Sequence, residues 1–322
     1  MIFVYILIGL IVLFAVFETI AALYFFKLAV VPRPFDFETA AKDPKDGRDY
    51  TDDLEMLHTA QAYLKDRRPE TVELLSRDGL KLKAVYYHAE QPKGVTVIMM
   101  HGYNHTGMGQ FGFYCMFYLK NGCDVLLTDQ RACGKSEGRY ITFGVRESED
   151  CADWCYRINE EYKPEHIVLH GISLGGATVM MALSEQLPKN VEGVIEDCGF
   201  TSPYEQLKHN VEQMKIPPFL VMPVTDLYCK LKAGYGFKDK SSLDGIKQNK
   251  RPLLVIHGDK DDFVPTEMGR RIYEAADCDK ELVITENTTH ADSFRNHRGQ
   301  CEEACLRLVM KATGVDVTGT AE

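Results

Sequence analysis

The sequence predicts an α/β protein. It should form a doubly wound, mainly parallel sheet that carries a helical lid and an N-terminal transmembrane helix. Three observations predict this. From residue 71 onward, short apolar runs alternate with stretches of helical periodicity. A Gly-x-Ser-x-Gly sequence at 171–175 stands between an apolar run, Ile167-Val168-Leu169, and a small-residue helical pattern from Ala177 to Leu187. Residues 1 to 26 are apolar apart from Glu18 and Thr19.

The N-terminal segment is roughly 39 Å long as a helix, enough to cross a hydrocarbon core of about 30 Å. It is too long for the apolar region of a signal peptide and lacks a basic stretch before it. Residues 1–27 therefore read as a membrane anchor. Lys27, Arg33, Lys42, Lys45 and Arg48 follow the span and no Lys or Arg precedes it. The positive-inside tendency then puts the bulk of the chain on the cytoplasmic side. Residues 28–70 read as a proline-containing, charged linker and an amphipathic helix, with Leu54, Leu57 and Leu64 on one face.

Residues 71–200 and 251–315 read as the core. Asp78-Gly79 is the turn of a hairpin. Val95 to Met100, Val125 to Leu127, Ile167 to Gly171, Val191 to Ile195, Leu253 to Ile256 and Leu282 to Thr285 are the following strands. Helices are expected over 111–119, 147–162 and 300–313. Residues 201–250 are too long and too apolar for a crossover loop, and read as a helical lid insertion.

The net charge of −10 and the lack of a basic block argue against nucleic acid as a partner. The ten cysteines show no C-x-x-C spacing. Cys151 and Cys155, like Cys301 and Cys305, share helical faces with apolar residues, so they read as buried packing groups rather than metal ligands.

Ser173 is the candidate nucleophile. Glycines two residues to either side allow a strained turn that leaves its hydroxyl standing above the sheet. The backbone N–H of Leu174, at a helix N-terminus, is placed to hold an oxyanion. A second donor should come from the loop His101-Gly102-Tyr103-Asn104, with the Tyr103 N–H as the candidate. A serine needs a base, and the base needs an acid to orient it. His290 follows the last strand, where His101, His105, His170, His257 and His297 fit less well. Asp261 lies in the loop after the preceding strand, with Asp259 and Asp262 beside it. Glu196 and Asp197, after an earlier strand, are alternative acids. The loop 129–138, with Asp129, Arg131 and Ser136, reads as scaffolding.

These residues resemble the α/β-hydrolase fold, near its serine aminopeptidase-like and esterase branch of lid-bearing bacterial hydrolases. The matching pieces are His-Gly at 101–102, Asp-x-Arg-x-x-Gly-x-Ser-x-Gly at 129–138, Gly-x-Ser-x-Gly at 171–175, His-Gly-x-x-Asp-x-x-Val-Pro at 257–265, and His290. The Asp-x-x-Val-Pro pattern singles out Asp261. Asn287-Thr288-Thr289 departs from the small residues usual before this histidine. The resemblance implies hydrolysis of an ester, thioester or amide of a small acyl or peptide substrate, with no metal or organic cofactor. A membrane-lipid lipase, an aminopeptidase and a non-catalytic binding protein are the rival expectations. For the peptidase, Glu205, Glu212 and Asp226 of the lid are candidate partners of a substrate ammonium.

Overall fold

The structure, a computed structural model, describes residues 1–33, 35–42 and 49–318. Lys45 and Arg48 lie outside the described residues. The strands are β1 (Glu70–Leu75), β2 (Lys81–Tyr87), β3 (Val95–Met100), β4 (Cys123–Asp129), β5 (His166–Ile172), β6 (Val191–Asp197), β7 (Leu253–Gly258) and β8 (Lys280–Thr285). They form one sheet in the order β1-β2-β4-β3-β5-β6-β7-β8. The β1–β2 hairpin is antiparallel and β2 joins β4 antiparallel; every later pairing is parallel.

The helices in chain order are α1 (Ile2–Ala29), α2 (Phe37–Lys42), α3 (Thr51–Leu64), α4 (Gly107–Lys120), α5 (Glu147–Glu161), α6 (Leu174–Ala182), α7 (Pro203–Gln213), α8 (Pro218–Ala233), α9 (Ser242–Gln248), α10 (Thr266–Ala275), α11 (Ser293–Asn296) and α12 (Arg298–Thr313). Every residue of β3 and of β7 is buried, as expected of strands with helices on both faces. Alternation divides the two cores. Val97 and Met99 pack with Phe111 of α4 and Leu308 of α12, whereas Ile98 and Met100 pack with Trp154 of α5 and Ile272 of α10.

The segment between β6 and β7 holds three helices. Ser202 caps α7 by accepting from the Glu205 N–H, and Pro203 opens it. Gly234, with φ 72°, ends α8 in the left-handed conformation. One expectation needs correction: α9 is part of the core, not of a lid. Ile246 is buried in the Trp154 cluster, and a Cβ at Gly245 would strike the Met180 carbonyl oxygen of α6. Helix α9 packs on α6 and α10, which leaves α7, α8 and the chain between them as the rest of the insertion.

Helix α1 is 28 residues long and is the one described helix long and apolar enough to cross a membrane. It does not stop short of the fold. Residues 2–17 touch little else, but Glu18, Ala22, Phe25 and Phe26 are buried. The Phe26 ring lies edge-on to Tyr228 of α8, with centroids 4.9 Å apart. Glu18 turns into protein rather than outward, and its Oε1 has no hydrogen-bond partner among the described residues.

Candidate active site

The turn between β5 and α6 is built around Ser173, with φ 55° and ψ −114°. A side chain seldom adopts such a backbone, and it persists only where the surroundings enforce it. Here they do. A Cβ at Gly171 would run into the Gly175 carbonyl, and a Cβ at Gly175 into the Met100 carbonyl of the neighbouring strand. The Ser173 N–H donates to the Asp197 carbonyl at 2.7 Å.

The turns after β7 and β8 bring two more residues to this point. His290 Nε2 lies 2.8 Å from Ser173 Oγ, and His290 Nδ1 lies 2.6 Å from Asp261 Oδ2. Asp261 Oδ1 accepts from the backbone N–H groups of Phe263 and Val264, at 3.0 and 2.8 Å. Its other oxygen also faces His257 Nε2 at 3.3 Å. Burial alone would raise the Asp261 carboxyl, but hydrogen bonds from His257 and His290 outweigh it and hold the group down at about 2. The same carboxylate lifts His257 above its ordinary value, against the burial that opposes it.

The competing acids are engaged elsewhere. Asp259 accepts from the Thr288 N–H at 3.2 Å. Asp262 lines the pocket over Ser173. Glu196 accepts from the Gly199 N–H at 2.8 Å, and Asp197 from the Tyr114 hydroxyl at 3.4 Å. Burial pushes Glu196 up to about 8 and Asp197 up to about 7, and one oxygen of each has no hydrogen-bond partner among the described residues. The other histidines order structure. His101 Nε2 accepts from the Gln130 N–H, His170 Nδ1 meets the Tyr118 hydroxyl, and His257 Nε2 meets the Val264 carbonyl. The His105 ring packs on Phe35, and His297 reaches the Glu286 carbonyl. Cys198 Sγ lies near His290 and Asp261, but burial raises its thiol well above the ordinary value.

The departure Asn287-Thr288-Thr289 is accommodated. Asn287 takes φ 50°, Thr288 is buried, and the Thr289 hydroxyl donates to Asp292 at 2.5 Å. A Cβ at Gly258 would hit the Thr288 carbonyl, so the two loops meet backbone to backbone. The 129–138 loop is locked from within. Arg131 pairs with Asp150 at 2.7 Å and Asp78 at 2.9 Å, and the Asp129 carboxylate accepts from the Gly107 and Lys135 N–H groups.

Ser173, Leu174 and Tyr103 line one cavity of about 350 Å³. Its walls are mostly apolar, among them Phe143, Phe200, Leu207 and Val211. The wall that sequence reasoning missed comes from α1: Phe25, Leu28 and Ala29. The Tyr103 hydroxyl donates to the Leu28 and Ala29 carbonyl oxygens, at 3.1 and 2.8 Å. Asn104 Oδ1 accepts from the Arg33 N–H at 2.8 Å. The acids of the 201–250 insertion are turned to other partners: Glu205 to Arg271, Glu212 to Lys208 and Asp226 to Lys230. Asp262 is the only carboxylate among the described residues lining the cavity.

Known proteins agree with this architecture. The family model described as "alpha/beta hydrolase fold" matches residues 95–222. The uncharacterized protein YqkD of Bacillus subtilis is 28% identical over 215 residues, covering 66% of this chain and 70% of that one. An uncharacterized membrane protein of Saccharomyces cerevisiae is 24% identical over 219 residues, covering 67% of this chain and 70% of that one. An esterase of Pyrococcus furiosus superimposes with a TM-score of 0.64 at 23% identity, over 79% of this chain and 94% of that one. The matched fold is the one in which a serine stands on a strand-to-helix turn at the carboxyl edge of the sheet.

Proposed function

Starting from a chain that has the α/β-hydrolase fold, we propose that it is a membrane-anchored serine hydrolase. It cleaves an ester, thioester or amide through an acyl-enzyme on Ser173. The observation that carries this reading is the continuous chain Ser173 Oγ–His290 Nε2, 2.8 Å, and His290 Nδ1–Asp261 Oδ2, 2.6 Å.

The chemistry follows from these positions. Ser173 Oγ attacks the acyl carbon while His290 Nε2 takes its proton. Asp261 holds the imidazole with Nδ1 as donor and stabilises the cation that forms. The carbonyl oxygen gains charge as the tetrahedral intermediate develops. The N–H groups of Leu174 and Tyr103 are the donors for that oxyanion; such a donor contributes about 3–4 kcal/mol where it has been removed in other enzymes. The intermediate collapses, the bond to the leaving group breaks, and His290 returns the proton to it. Water then attacks the acyl-serine with His290 again as base, releasing a carboxylic acid and free Ser173.

An ester or thioester is favoured over a peptide. An aminopeptidase needs fixed negative charge for the substrate ammonium; Glu205, Glu212 and Asp226 are each paired with a cation, which leaves Asp262 as the one carboxylate at the cavity among the described residues. Apolar walls suit an acyl group instead. The test is turnover of p-nitrophenyl esters by the full chain and by Ser173→Ala. Turnover should vanish in the variant while its fold persists; undiminished turnover contradicts the mechanism. A wild type that folds but hydrolyses no acyl ester, thioester or anilide favours a binding role.

A further inference from the structure

The cavity over Ser173 borrows a wall from the apolar N-terminal helix. Phe25, Leu28 and Ala29 lie in the last two turns of α1 and face the same space as Ser173. We propose that the substrate is an acyl ester dissolved in the bilayer, whose acyl chain lies against Phe25 and Leu28, so that it reaches Ser173 sideways from the membrane surface. This rests on the serine-hydrolase reading above and on α1 as the anchor; it adds a substrate class and a route.

Depth along α1 supports it. A hydrocarbon core of about 30 Å takes about 20 helical residues. Counted from Ile2, these end near Ala21. The exposed part of α1 runs to Phe17, and its protein-facing side begins at Glu18. Phe25 and Leu28 follow within about 10 Å along the helix. Phe25, about 6 Å beyond Ala21, then falls in the headgroup layer, which adds about 5–7 Å on each side of the core, and Leu28, about 10 Å beyond Ala21, lies at the outer edge of that layer. The scissile carbonyl of a membrane ester lies in the layer that Phe25 reaches, because it joins an acyl chain to a head group.

The neighbouring surface supports it independently. On α8, which packs alongside α1, Phe219, Pro223, Leu227 and Leu231 recur every fourth residue and all are exposed. Phe219 and Leu231 are 75% and 74% accessible. Met214 and Phe263, among the residues lining the cavity, are also exposed. Rows of exposed apolar groups mark a surface that is covered in use. A helix with one such face beside a membrane span is suited to lie in the interface. No Lys or Arg is among the described residues lining the cavity, so no cation there holds an anionic head group, and the mostly apolar walls suit the acyl chain.

The test uses the full chain in phosphatidylcholine vesicles with two 4-methylumbelliferyl esters: the butyrate, which is water-soluble, and the palmitate, which dissolves in the bilayer. The palmitate is supplied either in the enzyme's own vesicles or in separate enzyme-free vesicles. Sharing one membrane should raise palmitate turnover about tenfold or more through effective concentration, and should not affect butyrate. Leu28→Trp fills the α1 wall and should lower the palmitate-to-butyrate ratio of kcat/KM about tenfold. Leu10→Trp, on the exposed part of α1, should leave that ratio at the wild-type value. If Leu28→Trp prevents folding, Leu28→Ala tests the same wall with a series of these esters extended past palmitate, by moving the chain-length optimum beyond palmitate. Palmitate turnover indifferent to the vesicle arrangement, or a ratio and optimum unmoved by both changes at Leu28, overturns the proposal while butyrate hydrolysis keeps the serine-hydrolase reading intact. Absence of butyrate hydrolysis in the folded wild type overturns both.

Discussion

The Tyr103 hydroxyl donates to the Ala29 carbonyl oxygen at 2.8 Å. A residue of the loop after β3 is thereby tied to the end of the apolar N-terminal helix, across the cavity that holds Ser173. The same loop is stitched to the chain beyond α1 through Asn104, whose side chain accepts from Arg33 and whose carbonyl accepts from Phe35. Helix α1 is thus coupled to the position of a candidate oxyanion donor.

Tyr103→Phe removes this tie and leaves the backbone N–H in place. Its loss is worth about 1 kcal/mol, or about fivefold. We expect kcat on a short soluble ester to fall by that factor with KM nearly unchanged, because the donor acts on the developing charge. Steady-state kinetics of the two proteins checks it. An equal fall in stability with no change in kcat would reduce the contact to packing.

Asp261→Asn keeps the shape of the loop and removes the charge opposite His290. The imidazole then loses the partner that fixes Nδ1 as donor. A fall in kcat of about four orders of magnitude is expected, the size seen when this role is deleted in a triad. The carboxyl is also held down at about 2 in the folded chain. A depressed carboxyl stabilises the fold above its unfolded value, near 4, and that stability is lost as pH falls toward 2. Urea midpoints between about pH 4 and pH 2 should therefore fall more steeply for the wild type than for Asp261→Asn.

Glu196 and Asp197 predict the opposite slope at higher pH. Burial raises them to about 8 and about 7. Between about pH 4 and those values the folded chain keeps protons that the unfolded chain has released, so stability falls as pH rises. Glu196→Gln and Asp197→Asn each remove part of that slope. Urea midpoints at pH 5 and about pH 8 measure it; an unchanged slope in the double variant contradicts the assignment.

Gly175→Ala tests the turn itself. The added methyl would occupy the position of the Met100 carbonyl oxygen, so either β3 or α6 must move. A loss of about 3 kcal/mol or more is expected. Thermal melting of the variant checks this, and a melting point matching the wild type contradicts it.

Much of this was legible in the sequence because it is written locally. The glycines at 171 and 175 act within one turn, and each apolar strand run carries its own burial. The partner of His290 was harder, since three aspartates share one loop. The Asp-x-x-Val-Pro pattern alone pointed to Asp261, and the fold turns that residue inward while Asp259 turns to Thr288 and Asp262 to the cavity. The place of α1 in the cavity wall was hidden because a helix apolar all round carries no stripe to show which side meets protein. One signal existed. Glu18, Ala22, Phe25 and Phe26 share a face, and a lone carboxylate within an apolar span marks the side that meets protein. The role of α9 was hidden because a seven-residue helix offers few apolar positions, and its close approach to α6 depends on Gly245 meeting Met180.

The most direct test of the central claim is labelling by a fluorophosphonate, read by mass spectrometry of the intact chain and its peptides. One adduct is expected, on Ser173, absent in Ser173→Ala and strongly slowed in His290→Ala. A folded wild type that takes no label, or takes it at a residue other than Ser173, would contradict it.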